Sequence, residues 1–241
     1  MKPIICWIIG NTSNPYSIEC LIESFNTLKK LYQNNALYYL RYNNLDQQTK
    51  EKILQIPFDK FIDQHEYEKF LFIDPPKSRF FGGGGWKMYP PQIEPINSYQ
   101  IFLDNDLIVY EPIFDKFFES NEFVTTEALQ RSYTPHLQQF IQNNFNINVG
   151  IVGIPPHFIL KEKINRIIEE NNIKWEEYFD EQTIFAMILQ NEKTHILSRE
   201  TIAIVGNSTK FILGKSGVHF VGLNAGFNDH WLRYKRKGVK F

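Results

Sequence analysis

Six apolar residues in succession, Ile4 to Ile9, stop at Gly10-Asn11-Thr12-Ser13-Asn14-Pro15. So short a run, closed by turn-forming residues, predicts a strand buried on both faces and followed by a loop. Ile18, Leu21, Ile22, Phe25, Leu28 and Leu31 then recur at helical spacing, with Glu19 and Glu23 early and Lys29-Lys30 late, as the helix dipole favours. Ala36 to Tyr42 is a second strand. A strand, a crossover helix and a strand of this length make a right-handed parallel unit, so the chain is expected to be α/β, a mixed and mostly parallel central sheet flanked by helices.

The alternation continues downstream. Strands are predicted at Gln100 to Leu103, Leu107 to Val109, Phe123 to Thr126, Asn146 to Ile154, Ala203 to Val205 and Val218 to Val221. Helices are predicted at Ile113 to Phe118, His157 to Glu170 and Glu181 to Leu189. Gly82 to Gly85 cannot sit inside a stable helix or strand and read as a mobile loop feeding a short helix at Trp86-Lys87. No linker is long enough to divide the chain, and residues 1–241 are expected to form one domain.

Composition narrows the classes. With 241 residues, 43% of them hydrophobic, the chain can bury a sizeable core without disulfides and is no disordered protein. Its 26 Lys+Arg against 27 Asp+Glu argue against a general nucleic-acid binder. Cys6 and Cys20 lack metal or nucleophile spacing and read as reduced core residues. No apolar run is long enough for a signal peptide or a membrane span, which points to a cytoplasmic protein.

Leu103-Asp104-Asn105-Asp106-Leu107 is the sharpest chemical signal. Two carboxylates interrupting a core strand cost several kcal/mol if left unpaired, on the scale of buried charges, so they must meet a cation or open onto a cleft. At a strand end they can hold a hard divalent ion together with a ligand's phosphates, although a turn with solvated carboxylates has the same sequence. His219, in Gly217-Val218-His219-Phe220-Val221-Gly222, is a structural histidine or a third ligand, since imidazole beside carboxylate suits manganese-like ions. Asp180-Glu181-Gln182 opens a helix, with Asp180 either an N-cap or a substrate-facing acid. Asn148, followed by Val149-Gly150 in an apolar strand, needs partners that backbone or substrate hydroxyls can supply.

Taken in order, these residues resemble the GT-A glycosyltransferases, and among them the sugar-nucleotide-dependent enzymes of glycosyltransferase family 8. The segments that carry the resemblance are Ile8-Ile9-Gly10-Asn11-Thr12, Trp86-Lys87, Asp104-Asn105-Asp106, Asn148-Val149-Gly150, Asp180-Glu181-Gln182 and His219-Phe220-Val221-Gly222. The resemblance implies a single-domain GT-A fold and a nucleotide-sugar donor, most often a UDP-sugar, bound with Mn2+ or Mg2+. Asp104, Asp106 and His219 would be the metal ligands. Ile9, Gly10, Asn11, Thr12, Trp86, Lys87, Asp104, Asn105, Asn148 and Gly222 would line the donor, and Asp180 and Glu181 would face the sugar as base or positioning groups. Family 8 chains usually follow their histidine motif with Lys-Pro-Trp, whereas Gly222 is followed here by Leu223-Asn224-Ala225-Gly226; Lys215 and Arg233 are the candidates for the missing basic contact to diphosphate.

The acceptor implied is a hydroxyl of a glycan, a lipid-linked glycan or a protein, and nucleic acid is not expected as a partner. Two other classes compete: a haloacid-dehalogenase-like phosphatase, which also uses Asp-x-Asp after an apolar strand, and a module that binds nucleotide sugar or carbohydrate without turnover. The end of the chain, 232–241, carries Arg233, Lys235, Arg236, Lys237 and Lys240 with no acidic residue. That basic tail is a solvated end or one that meets diphosphate, an anionic membrane surface or a lipid-linked acceptor.

Overall fold

The computed structural model describes residues 1–10, 14–43, 45–64, 92–173 and 180–238, with Asp180 placed by its backbone alone. Asn11, Thr12, the glycine run 82–85, Trp86, Lys87 and Lys240 lie outside the described residues. Strand β1 (Ile4–Gly10) is buried along its whole length. Helix α1 (Pro15–Tyr32) starts where the sequence signals it: Asn14 accepts from the Tyr16 amide and Pro15 fills the first turn. The chain then returns through β2 (Leu37–Asn43), which pairs with β1 in parallel.

A sheet of seven strands forms the centre. Its order is β3 (Lys60–Asp63), β2, β1, β4 (Gln100–Asp104), β7 (Ile147–Ile154), β6 (Phe123–Glu127), β8 (Thr194–Leu197). The β4/β7 and β7/β6 pairs are antiparallel and the other four are parallel. Alternation along β1 sorts the core. Ile5, Trp7 and Ile9 pack with Leu21, Phe25 and Leu28 of α1, while Ile4, Cys6 and Ile8 face α4 (Leu160–Glu170) and α5 (Asp180–Leu189). Both cysteines are free and buried; desolvation pushes the Cys6 thiol up to about 11, so it is inert as a nucleophile at neutral pH.

A smaller sheet of three strands, β5 (Leu107–Val109), β10 (Gly217–Phe220) and β9 (Ile202–Val205), stands beside the first. The turn Asn105-Asp106 is the junction, because β4 belongs to the large sheet and β5 to the small one. Helix α6 (Asp229–Lys237) covers the small sheet through buried Trp231 and Tyr234. The basic end is therefore helical as far as Lys237, and its apolar side is anchored.

Several expectations shift. The helix expected over 113–118 is the single turn α3 (Asp115–Phe118), preceded by Pro112. The helix expected from His157 begins at Leu160, because His157 adopts φ +64 after Pro155-Pro156. Helix α2 (Gln47–Ile53), β3, β8 and α6 are additional to the elements the sequence pattern predicts. Among the described residues, no helix is long and apolar enough to cross a membrane.

Candidate metal and donor site

Strand β1 pairs with β2 on one side and β4 on the other, all parallel, so strand order reverses at the carboxyl ends of β1 and β4. Such a reversal opens a crevice in which ligands of open α/β sheets bind. Asp104 stands at that end of β4, in register with Ile8, and Ile9 and Gly10 continue β1 past it. Thus Ile9, Gly10 and Asp104 share one edge of the crevice.

The turn that follows carries Asp106, and the small sheet brings His219 to it. Leu107 pairs with His219, and the Phe220 amide donates to the Asp106 carbonyl at 2.8 Å. His219 Nε2 lies 3.1 Å from Asp106 Oδ1 and 3.5 Å from Asp104 Oδ2. One ligand atom from each of the three residues fits within 4.8 Å of the others. The side chains of Asp106 and His219 are 6% and 4% exposed but that of Asp104 is 31% exposed, so the group is closed behind and open in front. Burial pushes the Asp106 carboxyl above its ordinary value, opposed by His219 and reinforced by Asp104.

Two carboxylates and an imidazole, open on one side, fit a divalent ion that must also accept ligand oxygens. A second observation supports the fit. A Cβ placed on Gly150 would lie 2.6 Å from His219 Nδ1, so the strand leaves a vacancy shaped to the ring. Strand β7 provides it by a bulge: Thr125 pairs with Val152 but Thr126 with Asn148, leaving residues 149–151 outside the β6 ladder. Asn148 Oδ1 accepts from the Gly150 amide at 2.9 Å, which places Asn148 beside the same ring.

Other expected residues are placed differently. Asn105 is 1% exposed, and its amide is held by the Ser17 carbonyl and by reciprocal bonds with Asn224. It braces the acid turn against α1 and the 223–225 turn, so its side chain does not line the crevice at the ends of β1 and β4. Lys215 does not reach the triad either: it precedes Gly217, at the Val109 end of β10, and pairs with Glu200 at 3.7 Å. Arg233 lies on α6, on the flank of the small sheet. Gly222 follows His219 with φ +88, and Phe227 packs where a Cβ would project. Asp180 and buried Glu181 open α5, which packs on β7, the strand of Asn148 and Gly150. Gln182 donates to the Ser132 carbonyl and Thr183 accepts from the Thr134 amide, fixing that helix start.

Asn14 and Asn224 support the site without being among the residues the sequence singles out. Asn14 donates to Asn228 Oδ1 at 2.7 Å and so ties the loop after β1 to the turn after His219. Its place before Pro15 was a visible capping signal, whereas the Asn105–Asn224 pair has no local signature.

The galactosyltransferase LgtC, solved with donor and acceptor sugar analogues, matches with TM-score 0.58 at 9% identity over 91% of this chain and 87% of LgtC. Mouse xyloside xylosyltransferase 1 matches with TM-score 0.53 at 14% identity over 85% and 88%, respectively. A glycosyltransferase involved in glycosylation of the major capsid of PBCV-1 matches with TM-score 0.52 at 15% identity over 97% and 100%. The fold is GT-A. No protein-family model and no curated protein matches the chain. The GT-A architecture displaces the phosphatase expectation, and in this GT-A chain the acid pair follows β4, at the junction of two sheets.

Proposed function

We propose that the chain is a metal-dependent glycosyltransferase that moves a sugar from a nucleotide-sugar donor, a UDP-sugar, to a hydroxyl of a glycan, lipid-linked glycan or protein. The observation that carries this reading is the Asp104, Asp106 and His219 group at the reversal of strand order in a GT-A sheet. These three residues would hold Mn2+ or Mg2+. Bound there, the ion would supply Lewis-acid stabilisation to the departing diphosphate.

The chain's own residues do the rest. Asp106 and His219 hold each other in place behind the site, and Gly150 leaves the room that fixes the ring. Ile9 and Gly10 border the donor, and Asn148 offers its amide to sugar hydroxyls. Asp180 and Glu181 orient the sugar or take the acceptor's proton. Trp86 and Lys87 remain donor contacts in this proposal, with Lys87 neutralising diphosphate charge. The whole chain, 1–241, serves as one catalytic domain.

The test is UDP-sugar hydrolysis with Mn2+ by Asp106→Ala beside the wild-type protein. Loss of metal-dependent hydrolysis in a folded variant is expected. Hydrolysis unchanged by the substitution would overturn the assignment.

A further inference from the structure

Helix α6 divides its basic residues between two environments. Lys235 pairs with Glu23 of α1 at 3.3 Å, and beside it Trp231 donates to Glu19. Arg233, Arg236 and Lys237 instead line a cleft of about 500 Å3 together with Lys210 and Phe211 from the loop after β9. Among the described residues, no carboxylate pairs with any of these four cations.

Lysine and arginine near the end of a helix suit its dipole, which accounts for Arg236 and Lys237 alone. It does not account for Lys210, which arrives from another segment, nor for the half-buried phenyl ring beneath the cations. That ring is held in place. Phe211 stacks on His230 with centroids 5.8 Å apart, the Lys237 ammonium lies 5.0 Å from the Phe211 centroid, and His230 Nε2 donates to the Gly206 carbonyl at 2.8 Å. Four like charges around one cleft repel one another, and an anion removes that repulsion.

We propose that this cleft binds a phosphorylated ligand, with phosphoryl oxygens on Arg233, Arg236, Lys210 and Lys237 and an apolar or ring portion against Phe211. Arginine is suited to the role, because its planar fork meets two phosphoryl oxygens at once. The site is distinct from the metal triad. Phe220 packs on Trp231 and Tyr234 of α6 with centroids 5.4 and 5.5 Å apart, and its strand neighbour His219 points to the opposite face of β10. The source of the phosphoryl group is a soluble phosphate ester or a lipid headgroup, and the two are separable by experiment.

Titration calorimetry with inorganic pyrophosphate in EDTA excludes the metal site. The wild-type protein and Asp106→Asn are expected to bind alike, and Arg233→Gln/Arg236→Gln at least about tenfold more weakly. Lys210→Glu, on a loop away from the helix, gives the same loss if the helix variant fails to fold. Flotation with phosphatidylcholine vesicles, with and without phosphatidic acid, then separates the sources. Binding to the acidic vesicles that pyrophosphate displaces marks a headgroup, and pyrophosphate binding without vesicle binding marks a soluble ester. Absence of pyrophosphate binding, or binding unchanged in the folded arginine or Lys210 variants, overturns the proposal.

Discussion

Gly150→Ala isolates the support of the candidate metal site with one methyl group. The new Cβ would lie 2.6 Å from His219 Nδ1 and 2.9 Å from Asn148 Oδ1. Ordinary contacts begin near 3.5 Å, so the imidazole must retreat by about 1 Å. Gly150 lies outside the positive-φ region, so alanine itself is tolerated by the backbone and restricts the unfolded chain, a gain of about 0.4–1 kcal/mol. Overpacking costs about 1–3 kcal/mol, leaving a net destabilisation of up to about 2.5 kcal/mol in urea unfolding. The larger effect falls on the ligand set. A displaced ring no longer holds the position in which His219 Nε2 meets Asp106 Oδ1 at 3.1 Å, and Mn2+ affinity by calorimetry should fall about 10–100-fold, as when a metal ligand loses its support. Gly226→Ala is the control: φ is +91 with nothing within 4 Å, so it should cost about 1 kcal/mol of backbone strain and leave Mn2+ binding intact. A Gly150→Ala protein with wild-type stability and wild-type Mn2+ affinity would refute the reasoning.

Three further outcomes are expected. Asp106→Asn keeps the shape of the buried group without its charge, so metal-free stability should hold or rise while the Mn2+-induced rise in Tm disappears in a thermal-shift assay. Trp231→Ala removes a fully buried ring that packs on Phe220 and Tyr234, and should cost about 3–5 kcal/mol in denaturant unfolding. Burial, then the Lys116 ammonium, hold His195 below its ordinary value of 6.5, with Glu122 opposing. Its contribution to stability is therefore present above the unfolded value and lost as pH falls through the folded one; NMR titration should show a depressed pKa that rises in Lys116→Gln.

The elements that were legible in the sequence are those whose burial has one period. β1 is apolar throughout, and α1 repeats its apolar residues every three or four positions between an Asn-Pro start and a Lys-Lys end. Helix α2 escaped because only Thr49 and Ile53 are buried and the Asp46 cap, which accepts from the Thr49 amide, does the organising. β3 and β8 are four-residue edge strands with mixed burial, too short to show alternation. In α6 the charges hid a two-aromatic anchor, Trp231 and Tyr234, at i and i+3.

At the site, the residue types announced themselves but the partnerships did not. Asp104 and Asp106 were visible because acids rarely interrupt a core strand, and His219 because an imidazole stood in an apolar one. That Asn105 turns inward to Asn224, or that Gly150 yields its volume to His219, depends on sheet register across distant segments. Lys215 shows the same dependence: close to His219 in sequence, it precedes the opposite end of β10 and pairs there with Glu200.

The most direct test of the central claim is an anomalous difference map from crystals soaked with Mn2+ and a UDP-sugar. The account predicts a manganese peak in coordination range of Asp104, Asp106 and His219, with the donor's diphosphate on its open side. A peak elsewhere with the triad empty, or a donor bound away from the carboxyl ends of β1 and β4, would contradict it.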